Sequence, residues 1–273
     1  MVNTGANDLN RVSIKDDLDL KRIADSGQCF RIKSSDEGAF RFVHMGHVLD
    51  MKHISKDEFE ISCSEEEFAD VWHEYFDLDR DYRKIRKSID RNDDYLMRSA
   101  EYGKGIRILK QEPWETLISF IISQRKNIPA ITAAVDTMCR GYGKKIGKSS
   151  EYSFPDARAL SKLSDEEWKA LKLGYREKYI RQAVLEAPDM TAFYGLSDEA
   201  LMERLMGMYG VGIKVASCTA LFAYGRVDLA PVDVWINRIF ENEYGGENVL
   251  AGRKNAGILQ QYLFFYVRGM SGS

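Results

Sequence analysis

The chain has 273 residues, 44% of them hydrophobic, which is enough to build a large core divided between two domains. Its charged and aromatic fractions are typical of an ordered protein, and no apolar run approaches the roughly 18 residues that a membrane span needs. Residues 1–100 carry 16 basic and 22 acidic side chains, whereas residues 101–273 carry 23 and 20. A polyanionic partner would therefore meet the second half, where residues 125–181 hold 13 basic and 7 acidic side chains.

The N-terminal stretch over residues 1–19 is polar and acidic without an apolar segment, so we expect no signal peptide and a cytoplasmic protein. All four histidines lie before residue 75, so chemistry in the second half must come from Lys, Asp, Glu, Tyr or Cys. The four cysteines are far apart and lack the spacing of a zinc ribbon or an iron–sulfur cluster, so we interpret them as reduced thiols. They are Cys29, Cys63, Cys139 and Cys218.

Short alternating runs over residues 17–63, separated by turn residues, predict an antiparallel sheet of several short strands. From Glu65 onward the hydrophobic period becomes helical. The sequence therefore predicts an α+β protein with a β-rich domain over residues 1–95 and an all-α domain over residues 96–273.

Capping residues, prolines and glycines set the expected helix ends. The expected helices run from Glu65 to about Tyr75, from Arg80 to Asp90, from Pro113 onward, from Pro129 to Cys139, from Asp156 to Leu160, from Ser164 to Lys172, from Lys178 to Ala187, from Asp198 to Met206, from Lys214 to Phe222, from Asp233 to Tyr244 and from Ala256 to Val267. Two of them flank a glycine turn and form a helix–hairpin–helix over about residues 205–222.

The candidate catalytic residues lie in and after the glycine turn. Gly210-Val211-Gly212 opens an apolar helix, glycines allow close backbone approach, and the amides of a helix start can hold a phosphate. Lys214 lies in the first helical turn, where the helix dipole and apolar neighbours disfavour the charged form and favour an amine nucleophile. Asp233 follows 19 residues later and could stabilise a cationic sugar or help move protons.

A simpler interpretation stays open for each residue taken alone. Lys214 would then be a snorkelling lysine at a helix start, and Asp233 an N-cap. Finding both in this order, after a Gly-x-Gly hairpin, favours the catalytic interpretation.

The hairpin together with Pro231-Val232-Asp233 resembles the helix–hairpin–helix DNA glycosylases. In that superfamily the aspartate is the shared catalytic residue, and the lysine marks bifunctional members that also cleave the DNA backbone. Many members of the endonuclease III type carry four clustered cysteines after the aspartate, whereas this chain has none there. Four further stretches narrow the resemblance, which covers about residues 17–268, to the 8-oxoguanine DNA glycosylases of bacterial type. They are Ser26 to Arg31, Ser119 to Ser123 with Asn127-Ile128, Leu173 to Arg176, and Gln260 to Phe264.

The resemblance implies a mechanism in which the target base leaves the duplex. Lys214 would attack C1′ of its sugar, expel 8-oxoguanine and leave a Schiff base, after which the 3′ phosphate is eliminated. Asp233 would stabilise the oxocarbenium-like charge. In the substrate pocket, the Gly27 carbonyl would bond to the lesion, Gln260 would read its Watson–Crick edge, and Cys218 and Phe264 would cover its two faces.

The resemblance also implies which residues contact double-stranded DNA. Tyr175 would wedge into the gap left by the base, Arg176 would contact the estranged partner base, and the amides around Gly210 and Gly212 would hold a phosphate. The other expected contacts come from Arg125, Lys126, Asn127 and Trp235.

The chain departs from the family pattern at three places. Arg125-Lys126-Asn127 stands where eukaryotic members have an asparagine run, and Trp235 where they have a phosphate-contacting histidine. Ala130 stands where they have an arginine that checks the partner cytosine, which predicts looser selection of the opposite base.

The expected partner is duplex DNA containing 8-oxoguanine, bound by a monomer that associates with the nucleoid and does not interact with a membrane. We expect no iron–sulfur cluster, no metal ligands and no cofactor, although the family hairpin often binds a monovalent cation through carbonyls.

Two other functions remain open from the sequence. One is a glycosylase of the same fold for another oxidised or alkylated base, against which Gly27, Gln260 and Phe264 argue. The other is a non-catalytic helix–hairpin–helix DNA-binding module. Lys214 and Asp233 argue against the second, because pure phosphate binding needs neither a desolvated lysine nor a partner carboxylate.

Overall fold

The computed structural model describes residues 10–271. The predicted domains begin at residue 1 and end at residue 273, and both of these positions lie outside the described residues. Residues 1–9 of the polar N-terminal stretch also lie outside them. No helix among the described residues is long and apolar enough to cross a lipid bilayer.

One antiparallel sheet forms the N-terminal part and confirms the β-rich prediction, with strand order β1-β5-β4-β3-β2. The strands are β1 Asn10–Ser13, β2 Lys33–Ser34, β3 Ala39–His44, β4 His47–Ser55 and β5 Glu58–Ile61. Two features were not predicted. Strand β1 precedes the expected range and pairs Val12 with Phe59 of β5, and helix α1, Leu20–Asp25, interrupts that range. Asp19 caps α1 by accepting from the Arg22 amide, and Leu20 and Ile23 share its buried face.

The buried side of the sheet packs against the helical segment that follows it. This segment runs over Glu65–Glu67 (α2), a π-helical turn at Phe68–Trp72 and His73–Tyr75 (α3), as expected from the sequence. Ser64 caps it through the Glu67 amide. The core formed here contains Phe42, Leu49, Met51, Phe59, Ile61, Trp72, Tyr75 and Phe76.

His44, at the end of β3, makes the stability of this core depend on pH. Its ring centroid lies 4.7 Å from that of Tyr75 and 6.3 Å from that of Trp72. Burial, with a smaller contribution from His47, lowers the pKa of His44 to about 4. Because this pKa lies below that of the unfolded chain, the unfolded state binds more protons as the pH falls from about 6.5 to about 4.

We therefore expect the free energy of unfolding to decrease across this pH window by up to about 3 kcal/mol through His44 alone. His44→Gln should remove that part of the pH dependence. Urea unfolding of both proteins at pH 7.5, 6, 5 and 4.5 measures it. Parallel pH profiles for the two proteins would contradict the assignment.

Helices form the remainder of the chain, which confirms the α+β class. They are α4 Tyr82–Lys87, α5 Asp94–Tyr102, α6 Pro113–Ser123, α7 Ile128–Tyr142, α8 Ala157–Leu160, α9 Asp165–Ala170, α10 Arg176–Glu186, a 3-10 helix Met190–Gly195, α11 Asp198–Met206, α12 Ile213–Phe222, α13 Val234–Glu243 and α14 Ala256–Ser271. Most ends lie within a few residues of those predicted. The largest difference is at the end of α14, which continues to Ser271 rather than ending at Val267, and α10 begins at Arg176 rather than Lys178.

Three local signals were confirmed. Pro113 occupies the first turn of α6, Ser164 and Glu167 form the expected capping box of α9, and Asp233 caps α13. The predicted domain boundary at residue 95 stays a prediction, and α4, which precedes it, packs into the helical core through Tyr82 and Ile85.

Gln28 joins the sheet to the helices. Its side chain donates to the Arg107 carbonyl and accepts from the Leu109 amide, while Gln111 donates to its main-chain carbonyl. On the other side of the same turn, Gln261 of α14 donates to the Ser26 carbonyl at 2.6 Å. Hydrogen bonds of Gln28 and of the Ser26 carbonyl therefore hold the turn that contains Gly27 on both sides, as expected for buried polar groups, which are almost always paired.

All four cysteines are unpaired and buried. Burial raises the pKa of Cys29, Cys63 and Cys218 to about 11 and that of Cys139 to about 12. The groups are therefore protonated thiols at neutral pH, which fits their interpretation as reduced and unreactive.

Candidate active site

A narrow pocket lies where α6, α12 and α14 meet the turn after α1. It measures about 40 Å³ and brings together both predicted catalytic residues and all four predicted substrate-binding residues. They are Lys214, Asp233, Gly27, Cys218, Gln260 and Phe264. Larger cavities of about 450 and 460 Å³ lie elsewhere and contain none of these six residues.

Lys214 projects from the first turn of α12. The helix begins after Gly212, which offers no side-chain cap. The Lys214 Nζ lies 5.2 Å from the ring centroid of Phe120, which is itself stacked on Phe222. Among the described residues, no carboxylate lies within ion-pair distance of the amine. Its polar neighbour is the Cys218 thiol, whose pKa the lysine lowers. The lysine therefore faces the pocket beside apolar rings and is not held by a salt bridge.

The position of Asp233 is compatible with both roles expected from the sequence, an N-cap and a catalytic carboxylate. Its Oδ1 accepts from the amides of Trp235 at 2.9 Å and Ile236 at 3.1 Å, so it caps α13. The same carboxylate lines the pocket. The cap bonds fix the orientation of the carboxylate in the pocket wall.

The charges of Lys214 and Asp233 both affect the pKa of the Cys218 thiol. Burial is the main cause of its raised pKa, the charge of Lys214 lowers it and that of Asp233 raises it. Since the thiol stays neutral, Cys218 suits a wall of the pocket and does not act as a nucleophile.

Gly27 and Gln260 provide the polar groups of the pocket wall. Gly27 has φ +76°, a left-handed conformation that favours glycine, and a β-carbon there would lie 3.4 Å from the Phe264 ring. Gln260 is 4% exposed, and its Oε1 has no hydrogen-bond partner among the described residues. A buried acceptor without a donor is costly, so this atom is prepared for a donor supplied by a ligand.

The hairpin is docked on the loop between α6 and α7. Gly210 has φ +83°, its carbonyl accepts from Gln124 Nε2 at 3.1 Å, and a β-carbon there would lie 2.2 Å from the Tyr179 ring. Gly212 differs, because it has φ −91° and no neighbour within 4 Å of an added β-carbon. Gly210 is thus required by packing, whereas Gly212 leaves the helix amides open to an approaching phosphate.

This difference predicts separate outcomes for two alanine variants. Gly210→Ala should destabilise the protein by about 2–5 kcal/mol, because left-handed strain adds to overpacking against Tyr179. Gly212→Ala should change stability by less than about 1 kcal/mol but weaken DNA binding several-fold, because a methyl group obstructs the phosphate. Urea unfolding and DNA titration at fixed salt measure both effects. Equal losses of stability in the two variants would contradict this view of the hairpin.

The loop between α6 and α7 carries three of the predicted DNA contacts. Arg125 is exposed and has φ +53°, and Asn127 caps α7 through the Ala130 amide at 3.0 Å. Partial burial, with the charge of Arg176, lowers the pKa of Lys126. Two cations therefore stand at a surface turn, although their contacts with DNA stay predictions.

Arg176 is placed differently from what the sequence indicated. Tyr175 is 43% exposed, as a wedge requires, whereas Arg176 is only 6% exposed. Its guanidinium donates to the Gln124 carbonyl at 2.8 Å and the Leu173 carbonyl at 3.2 Å, and lies 4.5 Å from the Tyr175 ring. In this conformation it satisfies the Gln124 carbonyl where α6 ends and the Leu173 carbonyl in the turn before α10. Its contact with the partner base stays a prediction, and requires the guanidinium to leave these carbonyls.

Trp235 lies on the first turn of α13, partly buried, with the Arg238 guanidinium 5.5 Å from its ring.

The sequence did not assign roles to Phe120, which lies beneath Lys214, or to Arg268, which lies beside Gly27. The spacing of four residues that Arg268 shares with Gln260 and Phe264 is the signal that could have identified it. No group of three or more His, Cys, Asp or Glu residues within residues 10–271 is placed to hold a metal ion.

Comparison with known proteins identifies relatives that share this fold. Residues 11–117 match the model of the 8-oxoguanine DNA glycosylase N-terminal domain. MBOgg1, solved with a low-affinity DNA ligand, is 34% identical with a TM-score of 0.89, and the match covers 96% of each chain. The 8-oxoguanine glycosylase/lyase of Clostridium acetobutylicum, solved with duplex DNA containing cytosine opposite 8-oxoguanine, is 32% identical with a TM-score of 0.87, over 97% of this chain and 99% of that one.

A further relative is the N-glycosylase/DNA lyase of Saccharomyces cerevisiae, which is 36% identical over 159 residues. That match covers 52% of this chain and 42% of the yeast protein, so the chain spans less than half the length of that relative.

The hairpin, its lysine, the capping aspartate and the pocket between the helices define the class of helix–hairpin–helix DNA glycosylases. Full-length similarity to two solved relatives, at more than 30% identity, narrows this class. The chain belongs to the 8-oxoguanine DNA glycosylase family.

Proposed function

We propose that the protein is a bifunctional DNA glycosylase and AP lyase that removes 8-oxoguanine from duplex DNA in base excision repair. One observation carries the proposal. Lys214 and Asp233 share a single pocket with Gly27, Cys218 and Gln260, which are provided by separate parts of the chain. A module that only binds phosphates has no need of such a pocket.

The proposed reaction uses the Lys214 amine as nucleophile. The amine attacks C1′ of the flipped nucleotide, the bond from C1′ to N9 breaks, and the base leaves with the electron pair and takes up a proton. Opening of the sugar ring gives a Schiff base. Removal of a proton from C2′ then allows the C3′–O bond to break, and the 3′ phosphate leaves. The Asp233 carboxylate stabilises the positive charge that develops at C1′.

The base must widen the pocket in order to enter. A volume of about 40 Å³ holds about three water molecules, which is too little for a purine. Phe264 is only partly buried and forms one wall, so movement of its ring opens the space with least disturbance of the core. Once the base is inside, Gln260 Oε1 accepts from its Watson–Crick edge, and Cys218 and Phe264 cover its faces.

The partner is double-stranded DNA. The hairpin amides near Gly212 and the cations Arg125 and Lys126 hold its phosphates, and Tyr175 fills the gap that the base leaves. The protein acts as a monomer in the cytoplasm, associated with the nucleoid through DNA. The chemistry needs no cofactor beyond Lys214 and Asp233, and a monovalent cation at the hairpin carbonyls stays a prediction.

A panel of duplexes tests the function. Each carries 8-oxoguanine, guanine, 3-methyladenine, uracil or thymine glycol at one position. Mass spectrometry of the released base and gel analysis of the strand should show release of 8-oxoguanine together with a nick at that site. Release of another base in preference to 8-oxoguanine would assign a different substrate, and binding without release would indicate a DNA-binding module.

Selection of the opposite base should be loose. Ala130, exposed on the first turn of α7, cannot donate a hydrogen bond, and Arg176 is occupied by backbone carbonyls. One hydrogen bond from a charged donor changes such a rate ratio by about ten- to a hundredfold. Because this bond is missing, we expect the excision rate opposite cytosine to exceed that opposite the other bases by less than about a hundredfold. Single-turnover excision opposite each of the four bases measures it. Ala130→Arg should increase the preference, and a preference of several hundredfold in the unmodified protein would contradict the prediction.

A further inference from the structure

Arg268 lies beside the base pocket without an assigned role. It follows Gln260 and Phe264 at intervals of four residues, so all three share one face of α14. Side chains on a helix point back toward its N-terminus, and the Arg268 guanidinium accordingly lies 5.4 Å from the Phe264 ring centroid. Its Nη1 is 3.3 Å from the position that a β-carbon on Gly27 would occupy. The arginine can approach this closely because residue 27 has no side chain.

The guanidinium has no anionic partner among residues 10–271. Within that range no carboxylate lies within ion-pair distance of Arg268 and no acceptor bonds to it, and its guanidinium lies against the Phe264 ring. It is also partly buried. This partly buried guanidinium offers five donors, and none of them has an acceptor among the described residues, which points to an acceptor supplied from outside the chain.

The position of Arg268 selects one part of the bound nucleotide. Lys214 must reach C1′, so the sugar and its phosphates lie at the Lys214 end of the pocket. Gln260 faces the Watson–Crick edge. Arg268 instead approaches from the side of Gly27, next to the Phe264 ring that must move when the base enters.

The lesion provides a matching acceptor. It differs from guanine at two neighbouring positions, a hydrogen on N7, which is a donor, and an oxygen on C8, which is an acceptor. Guanine has a C–H group at C8 and cannot accept a hydrogen bond there. Guanine keeps an acceptor at N7, so the guanidinium distinguishes the two bases only where it is aimed at C8 itself, and there a charge-assisted hydrogen bond forms only to the oxidised base.

We propose that Arg268 donates to the C8 oxygen of the flipped lesion and is a specificity-determining residue of this protein. The inference rests on 8-oxoguanine being the substrate, as proposed above. Base release by the unmodified protein tests that substrate independently, so the two proposals can fail separately.

The test measures binding in a Lys214→Gln background, in which the DNA is not cleaved. Competition at fixed salt compares three duplexes, which carry 8-oxoguanine, guanine or a tetrahydrofuran abasic analogue. Arg268→Met retains the aliphatic stem against Phe264 but removes the donors. We expect it to weaken binding of the 8-oxoguanine duplex about ten- to a hundredfold and of the other two less than about twofold.

Two further variants complete the experiment. Arg238→Met is the matched control, since Arg238 also stacks on an aromatic ring but lies on α13, and it should change binding of all three duplexes by one common factor. Arg268→Gln keeps neutral donors and should give a smaller loss, again confined to 8-oxoguanine, which covers the case that Arg268→Met folds poorly. An equal loss on all three duplexes would show a phosphate contact, and unchanged binding would show a structural side chain. Either result overturns the proposal.

Discussion

Lys214→Gln is expected to abolish both base release and strand cleavage while leaving the protein folded and able to bind lesion DNA. The side chain projects from the first turn of α12 into the pocket, and no described carboxylate is paired with it, so its replacement breaks no salt bridge. Removing the nucleophile of a covalent mechanism should lower the single-turnover rate by on the order of 10⁴- to 10⁶-fold.

Borohydride trapping measures this loss directly. The unmodified protein should give a covalent complex with an 8-oxoguanine duplex, and Lys214→Gln should give none. Lys254→Gln is the matched control, because Lys254 is exposed on the turn before α14 and does not line the pocket. It should trap like the unmodified protein. A trapped complex of normal yield with Lys214→Gln would remove Lys214 from the mechanism.

Asp233→Asn should lower the rate of base release about 10²- to 10³-fold while DNA affinity survives. The reason is that the carboxylate acts where positive charge develops, so its loss affects the transition state more than the ground state. Asparagine is as good an N-cap as aspartate, so α13 should remain capped and stability should change by less than about 1 kcal/mol.

A comparison of Asp233→Ala with Asp233→Asn separates the catalytic role of the charge from the capping role of the side chain. Asp233→Ala removes both, because Oδ1 also accepts from the Trp235 and Ile236 amides, and should cost a further 0.5–2 kcal/mol or so of stability. Single-turnover rates and urea unfolding of the two variants give the comparison. If Asp233→Asn keeps the full rate, the charge is not used in catalysis. If it unfolds as readily as Asp233→Ala, Asp233 is mainly a cap.

The sequence predicted best those features that depend on near neighbours. The capping role of Asp233, the proline at the start of α6 and the capping box at Ser164 each involve contacts within three residues, and the structure contains all of them. The family was also identified correctly, because its motifs occur in order along the chain. Helix α1 was missed, since its six residues are too few to establish a helical period against neighbouring strand patterns.

Several features that depend on distant contacts were not predicted. Arg176 is buried because it donates to the Gln124 carbonyl, 52 positions away along the chain, and nothing in the local sequence reveals that acceptor. The Gly27 turn is fixed by Gln261, 235 positions after the Ser26 carbonyl that it contacts. The unpaired state of Arg268 likewise depends on which side chains the fold brings near it.

In the proposed mechanism, Lys214 forms the covalent bond to DNA. Borohydride-trapped complexes of the unmodified protein with an 8-oxoguanine duplex can be digested with nuclease and protease, and the modified peptide can be sequenced by mass spectrometry. We expect the sugar remnant to be attached to Lys214 Nζ. Attachment to another lysine or to the N-terminal amine, with Lys214 unmodified, would contradict it.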